Sequence, residues 1–396
     1  MSIVPISNPA TKSTSQTASS LTPALRVVAI GGGTGLSTLL RGLKRYVAAP
    51  SVARRATDAV NPPTPKPGAC PSGVSCPIAD LAAIVTVTDD GGSSGRLREE
   101  LNILPPGDVR NCMVALSEDE LLLARLFQHR FCHGELDGHS FGNLFLAALA
   151  EITGDFAQAV QMSSQILAAR GRIYPATNTN VTLAARMDDG SVVDGETHIT
   201  ASPQRIVELM LVPADVRPLP ATLEAIANAD LITLGPGSLY TSLITNMLVR
   251  GIPEAIAASK ATRVYVGNLM TQANESLGLT ASQHIERIFG HCGSGGAGTN
   301  GVRSLRIFDY ALIHTAPISS TLLAKYASSG QTPIEADLDR IRSLGVEPIP
   351  GDFALEGSLL RHDPERVTEA LLKLALSDRR GDGAQINANQ AATTCV

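Results

Sequence analysis

The sequence has no tryptophan, and aromatic residues make up only 4% of its 396 positions. Proteins that bind single-stranded nucleic acid stack the bases on aromatic side chains, and this chain has few of them. Its 32 Lys and Arg residues are outnumbered by 37 Asp and Glu residues, which gives a formal net charge of −5. Because nucleic-acid backbones and anionic membranes are bound by clustered basic residues, the composition predicts neither partner.

Long hydrophobic runs are also missing. The apolar stretch at residues 145–150 is far shorter than the roughly 20 residues of a membrane-spanning helix, so no membrane insertion is expected. Residues 1–24 are rich in Ser, Thr, Ala and Pro and lack the basic and apolar regions of a signal peptide. We therefore predict a disordered N-terminal arm and a cytoplasmic location.

The six cysteines are scattered and show no paired CxxC spacing. A cytosolic chain of this length keeps its thiols reduced, so no disulfide framework is predicted. Cys132, His133 and His139 lie near one another in sequence, but no fourth ligand follows at a suitable spacing for zinc.

A strand-turn-helix unit opens the ordered part of the sequence. Residues 25–30 form a short apolar run, and apolar residues recur at helical spacing from Leu36 onward. Backbone N–H groups at such a turn, together with the helix dipole, favour a phosphate. The turn does not match the dinucleotide-binding pattern GxGxxG, whose last position is glycine. A frame that starts at Gly31 has Leu36 at that position, and one that starts at Gly33 has Thr38. The alternative is a tight turn without a ligand. The turn residues are Gly31, Gly32, Gly33, Thr34 and Gly35.

A second apolar run, at residues 82–88, predicts a buried strand that ends at Asp89 and Asp90. Parallel sheets bind ligands at this carboxyl edge. The two carboxylates can accept sugar hydroxyls, coordinate Mg²⁺ with the ligand's phosphates, or act as a general base. A solvated turn is the alternative. The residues that follow supply flexible glycine backbone, hydroxyl hydrogen-bond donors and a positive charge that can face a diphosphate. They are Gly91, Gly92, Ser93, Ser94, Gly95 and Arg96.

The strand-turn-helix pattern returns with a strand at residues 231–234 and a helix at 239–249. The turn between them contains Gly235, Gly237 and Ser238. Two such turns on one sheet can hold one ligand from both sides of a topological switch point; alternatively, the second turn only caps its helix. Asn268 follows the next predicted strand, at 263–266, and lies at the same edge.

The other predicted elements complete an α/β pattern. Helices are expected to begin at Asp108, Glu118, Ser140 and Asp155, with a β-hairpin formed by residues 181–186 and 192–199. A strand is expected at 311–314 and a last helix at 365–376. Residues 138–142 match the G-x-S-x-G pattern of serine hydrolases, but the preceding segment is too polar for the required strand. Ser140 is therefore interpreted as a helix N-cap.

Five motifs occur in order and together resemble the YvcK family, the bacterial gluconeogenesis factors related to the CofD phospholactyl transferases. The motifs lie at residues 31–37, 89–98, 105–111, 138–144 and 235–242, within a match from about residue 26 to 376. The resemblance implies a Rossmann-like three-layer sandwich with a mainly parallel sheet and a small antiparallel accessory hairpin. It also implies binding of UDP-sugars such as UDP-N-acetylglucosamine, and a role in cell shape and envelope synthesis on gluconeogenic carbon sources.

No settled catalytic activity accompanies that branch, so a regulator that senses its ligand is the main hypothesis. The transferase relatives move a phospholactyl group from a guanosine-diphosphate-linked donor to a deazaflavin precursor with Mg²⁺. A transferase that uses Asp89 or Asp90 as a base or for Mg²⁺ is therefore the first alternative. A ligand-free scaffold for envelope-synthesis proteins is the second. A homodimer is expected, as is common for such proteins.

The resemblance adds Asp108, Asn111, His139 and Asn143 to the predicted ligand site, and Lys325 and Tyr326 are guesses toward the C-terminus. The sequence departs from the family at Ala273–Ser276, where a Gly-Glu-Thr ending is expected. A single domain is predicted over residues 25–377. Inserted in it are a Pro-rich loop at 48–77 and a Gly-rich loop at 293–301, and a disordered tail follows at 378–396.

Overall fold

The computed structural model describes residues 24–47, 77–118, 122–292 and 305–393, with side chains described as far as Arg379. The predicted Gly-rich loop lies outside these ranges, as do residues 1–23 of the predicted arm and 48–76 of the predicted insertion. Of the predicted tail, residues 394–396 lie outside them.

A seven-stranded parallel sheet forms the centre of the fold, in the order β10-β9-β8-β7-β1-β2-β3. Its central strands consist of apolar and β-branched residues that are buried almost throughout, because helices cover both faces. The predicted α/β class and mainly parallel sheet are confirmed. The strands are β1 Leu25–Gly31, β2 Ile78–Val85, β3 Arg172–Pro175, β7 Leu231–Leu234, β8 Thr262–Val266, β9 Tyr310–His314 and β10 Glu347–Gly351.

Helices connect the strands, and three of them begin close to where the sequence predicts: α3 at Gly107, α5 at Phe141 and α6 at Phe156. Among the described residues no helix is both long enough and apolar enough to cross a membrane. The helices are α1 Gly33–Lys44, α2 Gly92–Leu101, α3 Gly107–Leu116, α4 Leu123–Gln128, α5 Phe141–Thr153, α6 Phe156–Ile166, α7 Glu196–Ala201, α8 Pro220–Ala227, α9 Thr245–Met247, α10 Ile252–Ala258, α11 Ala281–His291, α12 Ser320–Ala327, α13 Leu338–Ser343 and α14 Pro364–Thr393.

Two small antiparallel sheets flank the parallel one. The first contains β5 Val192–Asp194, β4 Thr182–Met187 and β6 Ile206–Val212, and the second pairs β11 Ala354–Glu356 with β12 Leu360–His362. The predicted hairpin is β4–β5. Its second strand ends at Asp194 and not at residue 199, because Gly195 has a φ of 88° and starts α7.

Two further boundaries differ from the prediction. The strand expected at 82–88 is β2, and it ends three residues early, at Val85. It ends there because its neighbours β1 and β3 end at the paired residues Gly31 and Pro175. The sequence pattern predicts no helix directly after Asp90, yet α2 begins at Gly92 and buries Leu97.

Three helices also differ from expectation. The helix expected from Glu118 begins at Leu123. The helix expected at 239–249 is a π-helical segment, Leu239–Ile244, followed by α9. The last helix, α14, runs past residue 376, and its Asp378 accepts a hydrogen bond from the Thr262 hydroxyl at 2.8 Å. This helix therefore continues into the segment predicted to be a disordered tail.

The strand order reverses between β1 and β7, which are hydrogen-bonded neighbours. From β1 the chain proceeds to β2 and β3 on one side, and from β7 it proceeds to β8, β9 and β10 on the other. Connections that leave in opposite directions open a crevice at the carboxyl ends of the two strands, where open α/β sheets bind ligands.

Candidate functional site

The first glycine turn joins β1 to α1 at this crevice. Gly33 adopts a φ of 61°, a left-handed conformation that glycine accepts without strain. Its backbone N–H donates a hydrogen bond of 2.7 Å to Oδ2 of Asp108, at the start of α3. A Cβ atom on Gly33 would approach no atom closer than 4.0 Å, so this turn faces open space.

The second glycine turn follows β7 and touches the first. A Cβ atom on Gly35 would lie only 2.4 Å from the carbonyl oxygen of Pro236, so any side chain there would separate the two turns. Gly235 has a φ of 88°, and the Gly235–Pro236 peptide bond is cis. The sequence pattern of two equivalent turns thus corresponds to one continuous backbone surface at the switch point.

A cavity of about 550 Å³ opens over the joined turns. Its walls come from both turns, from the loop after β8 and from the β11–β12 hairpin. The lining residues are Gly32, Gly33, Thr34, Gly35, Thr38, Asp89, Asp108, Glu196, Pro236, Gly237, Ser238, Ser242, Asn268, Leu269, Met270, Thr271, Gln272, Tyr326, Gln331, Leu359, Leu360, Arg361 and His362.

Three carboxyl groups line one side of the cavity, from Asp89, Asp108 and Glu196. Burial, and secondarily the charge of Asp89, raises the pKa of Asp108 to about 7. Burial and the charges of Asp108 and Asp89 raise the pKa of Glu196 to about 9. Close carboxyl groups repel one another when ionised, so this wall holds protons at neutral pH or requires a cation.

Amide side chains after β8 line the opposite wall. Asn268 Nδ2 donates to the carbonyl oxygen of Gly237 at 2.9 Å, and Gln272 Nε2 donates to Oγ of Ser238 at 2.9 Å. The oxygen atoms of both amides have no hydrogen-bond partner among the described residues. These two acceptors are matched to a ligand that carries hydroxyl or N–H donors.

Glu275 stabilises the helical segment that follows the second turn. Its Oε1 accepts hydrogen bonds from the backbone N–H groups of Tyr240 and Thr241, both at 3.0 Å. Burial raises the pKa of this carboxyl. Although residues 273–276 depart from the family ending, this glutamate thus pairs two N–H groups in the first turn of the π-helical segment.

Other predicted site residues lie together in a separate buried network behind α2. Ser93 Oγ is 3.1 Å from Nδ1 of His139 and accepts a hydrogen bond of 3.1 Å from Nδ2 of Asn143. Ser140 Oγ accepts from the backbone N–H of Asn143 at 3.2 Å, which confirms it as the N-cap of α5. The structure therefore brings three predicted ligand residues together, but as a link between α2 and α5 outside the cavity lining.

The remaining predicted polar residues also lie apart from the cavity lining. Asp90 accepts hydrogen bonds from the backbone N–H and the hydroxyl of Thr197, at 2.9 and 2.5 Å. Arg96 donates to the carbonyl oxygen of Asp137 at 2.6 Å, and Asn111 accepts from Arg110 at 2.8 Å. Asp89 and Asp90 are adjacent in sequence, yet only Asp89 lines the cavity. Gly31, Gly91, Gly92, Ser94 and Gly235 are likewise absent from the lining.

Sequence reasoning missed Glu196 and Arg361. Glu196 comes from α7, and Arg361 comes from β12 and is the one Lys or Arg side chain among the described cavity-lining residues. No local motif marks either residue. Of the two guesses, Tyr326 lines the cavity and its hydroxyl accepts from the backbone N–H of Leu360 at 3.0 Å. Lys325 donates instead to the carbonyl oxygen of Ser358 at 2.7 Å.

The described residues contain no group of three or more His, Cys, Asp or Glu side chains arranged for a metal ion. Mg²⁺ is commonly held by only one or two carboxylates together with ligand phosphates. Asp89 and Asp108 line the cavity beside the first glycine turn, so they fit a Mg²⁺ ion that is held by two carboxylates and by the phosphates of a ligand. They would hold the ion only when that ligand is bound.

Comparison with known proteins agrees with this architecture. Residues 27–354 match the family described as 2-phospho-L-lactate transferase CofD. The chain is 46% identical to the gluconeogenesis factor of Halalkalibacterium halodurans, over 88% of this chain and 95% of that protein. It is 41% identical to the gluconeogenesis factor of Bacillus subtilis, over 88% and 98%. A crystal structure of a UPF0052 family protein from Bacillus halodurans superposes with a TM-score of 0.76 at 45% identity, covering 88% of this chain and 99% of that one.

Proposed function

Since the chain belongs to the CofD family, we propose that it is a regulatory protein that binds a UDP-sugar such as UDP-N-acetylglucosamine. Its similarity to proteins named gluconeogenesis factor supports a role in growth on gluconeogenic carbon sources. In this proposal the protein acts in the cytoplasm, where ligand binding controls cell shape and envelope synthesis through envelope-synthesis proteins.

The observation that carries the proposal is the contact between the two glycine turns at the switch point. The helix α1 begins at Gly33, and its first turn lines the cavity. Gly237 and Ser238 of the second turn continue the same surface. A helix N-terminus favours an anion through its free N–H groups and its dipole. The diphosphate of a nucleotide-sugar belongs over this surface.

The other walls complement the rest of such a ligand. The unpartnered amide oxygens of Asn268 and Gln272 accept hydrogen bonds from sugar hydroxyls or from the N–H of a base. Arg361 supplies a positive charge in the same cavity lining as Asp89 and Asp108. The cavity volume of about 550 Å³ lies within the usual range of small-molecule sites, roughly 300–1,000 Å³.

Isothermal titration with UDP-N-acetylglucosamine tests the proposal, in chelator and in Mg²⁺. We expect saturable binding that UDP competes with, since the diphosphate supplies the contacts with the turns. Absence of binding under both conditions would refute the proposal and favour the ligand-free scaffold. GDP-linked and ADP-linked sugars, titrated in parallel, show which base is bound.

A pair of glycine variants places the ligand. Gly33→Leu puts a side chain into the space over the first turn, whereas Gly154→Leu introduces the same side chain at a φ of 69° where no atom lies within 4 Å. Both variants carry similar backbone strain. Loss of UDP-N-acetylglucosamine binding in the Gly33 variant alone places the phosphates over this turn, and equal affinity in the two would place them elsewhere.

A transferase is the second candidate, and the family description together with the paired carboxyl groups of Asp89 and Asp108 favours it. With Asp90 turned toward Thr197, Asp89 and Asp108 are the better candidates to hold Mg²⁺ or to accept a proton. Incubation with a guanosine-diphosphate-linked phospholactyl donor and the deazaflavin acceptor distinguishes the two functions. Product that is lost in Asp89→Asn but retained in Asp90→Asn would establish the transferase.

A further inference from the structure

A fully buried asparagine links the first glycine turn to the helical segment that follows the second. Asn246 belongs to α9 and is 0% exposed. Its Nδ2 atom donates hydrogen bonds to the carbonyl oxygen of Gly31 at 3.0 Å and to that of Ser242 at 2.7 Å. One side-chain amide thus joins the two parts of the site, although Asn246 and Gly31 are 215 positions apart.

The orientation of this amide follows from its neighbours. Both are carbonyl oxygens, which only accept hydrogen bonds, so the NH₂ group must face them. The amide oxygen, Oδ1, is buried without a hydrogen-bond partner among the described residues, and an unpaired buried acceptor is destabilising. The Gly31 carbonyl also accepts from the backbone N–H of Thr86 at 3.0 Å, so the end of β1 is paired without Asn246. Stability of the fold therefore does not by itself account for an amide here.

Ser242, which this amide holds, lies between the two glycine turns. Its Cβ atom is 3.4 Å from the position that a Cβ atom on Gly32 would take, and 3.1 Å from the corresponding position on Gly237. Its hydroxyl oxygen is 4.0 Å from the corresponding position on Gly33, in the open space over the first turn. Ser242 lines the cavity although it is only 8% exposed. Its hydroxyl is therefore within reach of a group bound over Gly33.

The backbone that carries Ser242 is a π-helical turn. The N–H of Leu243 donates to the carbonyl oxygen of Ser238, five residues earlier, at 3.0 Å. Segments with this hydrogen-bond pattern are rare and occur frequently at functional sites. Because Asn246 holds the Ser242 carbonyl from the next turn, it fixes this segment against the first glycine turn.

We propose that Asn246 is a positioning residue for the diphosphate of the ligand. By holding the carbonyl groups of Gly31 and Ser242 together, it keeps the Ser242 hydroxyl beside Gly33, where that hydroxyl donates a hydrogen bond to a phosphate oxygen. The inference rests on the proposed function, since it requires a diphosphate over the glycine turns. Neither Asn246 nor Ser242 is among the ligand residues predicted from the sequence.

Titration calorimetry of the full chain with UDP-N-acetylglucosamine and with UDP tests this role. Ser242→Ala removes the hydroxyl, and Asn246→Ala removes the group that holds it in place. A hydrogen bond to a charged phosphate is lost in both, so each variant is expected to lower affinity about tenfold. The loss is expected to be similar for the two ligands, because both carry the diphosphate.

Ser163→Ala is the matched control. Ser163 is also 0% exposed, and its hydroxyl donates to a carbonyl oxygen four residues earlier, that of Ala159, at 2.8 Å in α6. Since Ser163 does not line the cavity, this variant is expected to bind both ligands with wild-type affinity. Urea unfolding shows that each variant is folded. Asn246→Ser, which keeps one donor, replaces Asn246→Ala if the latter does not fold, with the same expected results.

The double variant Ser242→Ala/Asn246→Ala separates positioning from a general structural effect. Because Asn246 acts through Ser242, the double variant is expected to lose less affinity than the product of the two single losses. Independent losses that multiply would contradict the positioning role. The ³¹P resonances of bound UDP-N-acetylglucosamine, recorded at saturation, are expected to shift in Asn246→Ala and to remain unchanged in Ser163→Ala.

The outcomes distinguish this inference from the proposed function. A wild-type protein that binds neither ligand would refute both. If the wild type binds but Asn246→Ala or Ser242→Ala keeps its affinity, or if the ³¹P resonances do not move in Asn246→Ala, the positioning role alone is wrong. Weaker binding in both variants, with coupled losses and a changed phosphorus spectrum, supports it.

Discussion

The carboxyl of Asp108 accepts a hydrogen bond of 2.7 Å from the backbone N–H of Gly33. One of the N–H groups of the first glycine turn is therefore already paired with an acidic side chain. The two residues are 75 positions apart and are joined only because α1 and α3 pack against each other. This contact places a titrating group at the point where the sequence predicts an anion.

Protonation of Asp108 is expected to link stability to pH. An unfolded Asp ionises near pH 4, whereas burial raises the folded pKa to about 7. Between these values the folded chain binds more protons, so stability falls as pH rises. Asp108→Asn keeps an acceptor for Gly33 and removes this loss. Since about three pKa units correspond to about 4 kcal/mol, the variant is expected to gain up to about 4 kcal/mol over the wild type between pH 4 and pH 8. Urea titrations of both proteins across this range measure it.

Glu196→Gln serves as the companion experiment. The pKa of Glu196 is raised to about 9, so its destabilising ionisation extends to higher pH than that of Asp108. A pH profile that is identical in wild type and both variants would contradict the assignment of these groups.

Because the two glycine turns touch, even an alanine at position 35 is expected to lower the free energy of unfolding. In Gly35→Ala the added carbon would meet the Pro236 backbone at 2.4 Å, and overpacking of this kind costs about 1–3 kcal/mol. Gly290→Ala, also in a helix but with no atom within 4 Å, is expected to gain about 1 kcal/mol. Thermal unfolding should move in opposite directions for the two variants.

Glu275 is expected to matter as an acceptor and not as a charge. Glu275→Ala leaves the N–H groups of Tyr240 and Thr241 unpaired, which costs about 1–3 kcal/mol each when buried. Glu275→Gln keeps an oxygen at the same place and should remain within about 1 kcal/mol of wild type. Equal destabilisation of both variants, measured by urea unfolding, would show that the negative charge itself is required.

Removal of Arg361 should weaken ligand binding without affecting the fold. A charge-assisted hydrogen bond to a phosphate contributes about 1.5–3 kcal/mol, so Arg361→Ala is expected to lower affinity for UDP-N-acetylglucosamine at least about tenfold. Arg340→Ala on α13, which pairs with Glu286 on the surface, is the control and should bind normally. Titration calorimetry at low and high salt distinguishes a direct charge contact from a structural effect.

Local sequence patterns predicted the elements that form the centre of the sheet. The strands β1 and β7 are continuous apolar runs followed by glycine, so their burial and their turns follow directly from the residues. The strand β3 was not predicted, because its four residues, Arg172–Pro175, carry too short a pattern. Its place at the sheet edge depends on pairing with β2, which is a tertiary contact.

The candidate site was predictable where its residues come shortly after a strand or belong to a motif of the resembled family, as Asp108 does. Asp89 and Asn268 come a few residues after β2 and β8 and line the cavity, whereas Asp90 follows the same strand as Asp89 but turns toward Thr197. Glu196 reaches the cavity from a helix far along the chain, and the Thr88 hydroxyl donates to its carboxyl at 3.4 Å across 108 residues. Contacts of that separation leave no trace in local spacing or periodicity.

The three-stranded accessory sheet is joined to the cavity wall through one short helix. The helix α7 begins immediately after β5, and it carries both Glu196, in the cavity wall, and Thr197, which anchors Asp90. A single six-residue helix therefore ties the acidic wall of the cavity, the second carboxyl of the Asp89–Asp90 pair and the accessory sheet to one another. The position of Glu196 beside Asp108 depends on residues that lie far along the chain from the glycine turn.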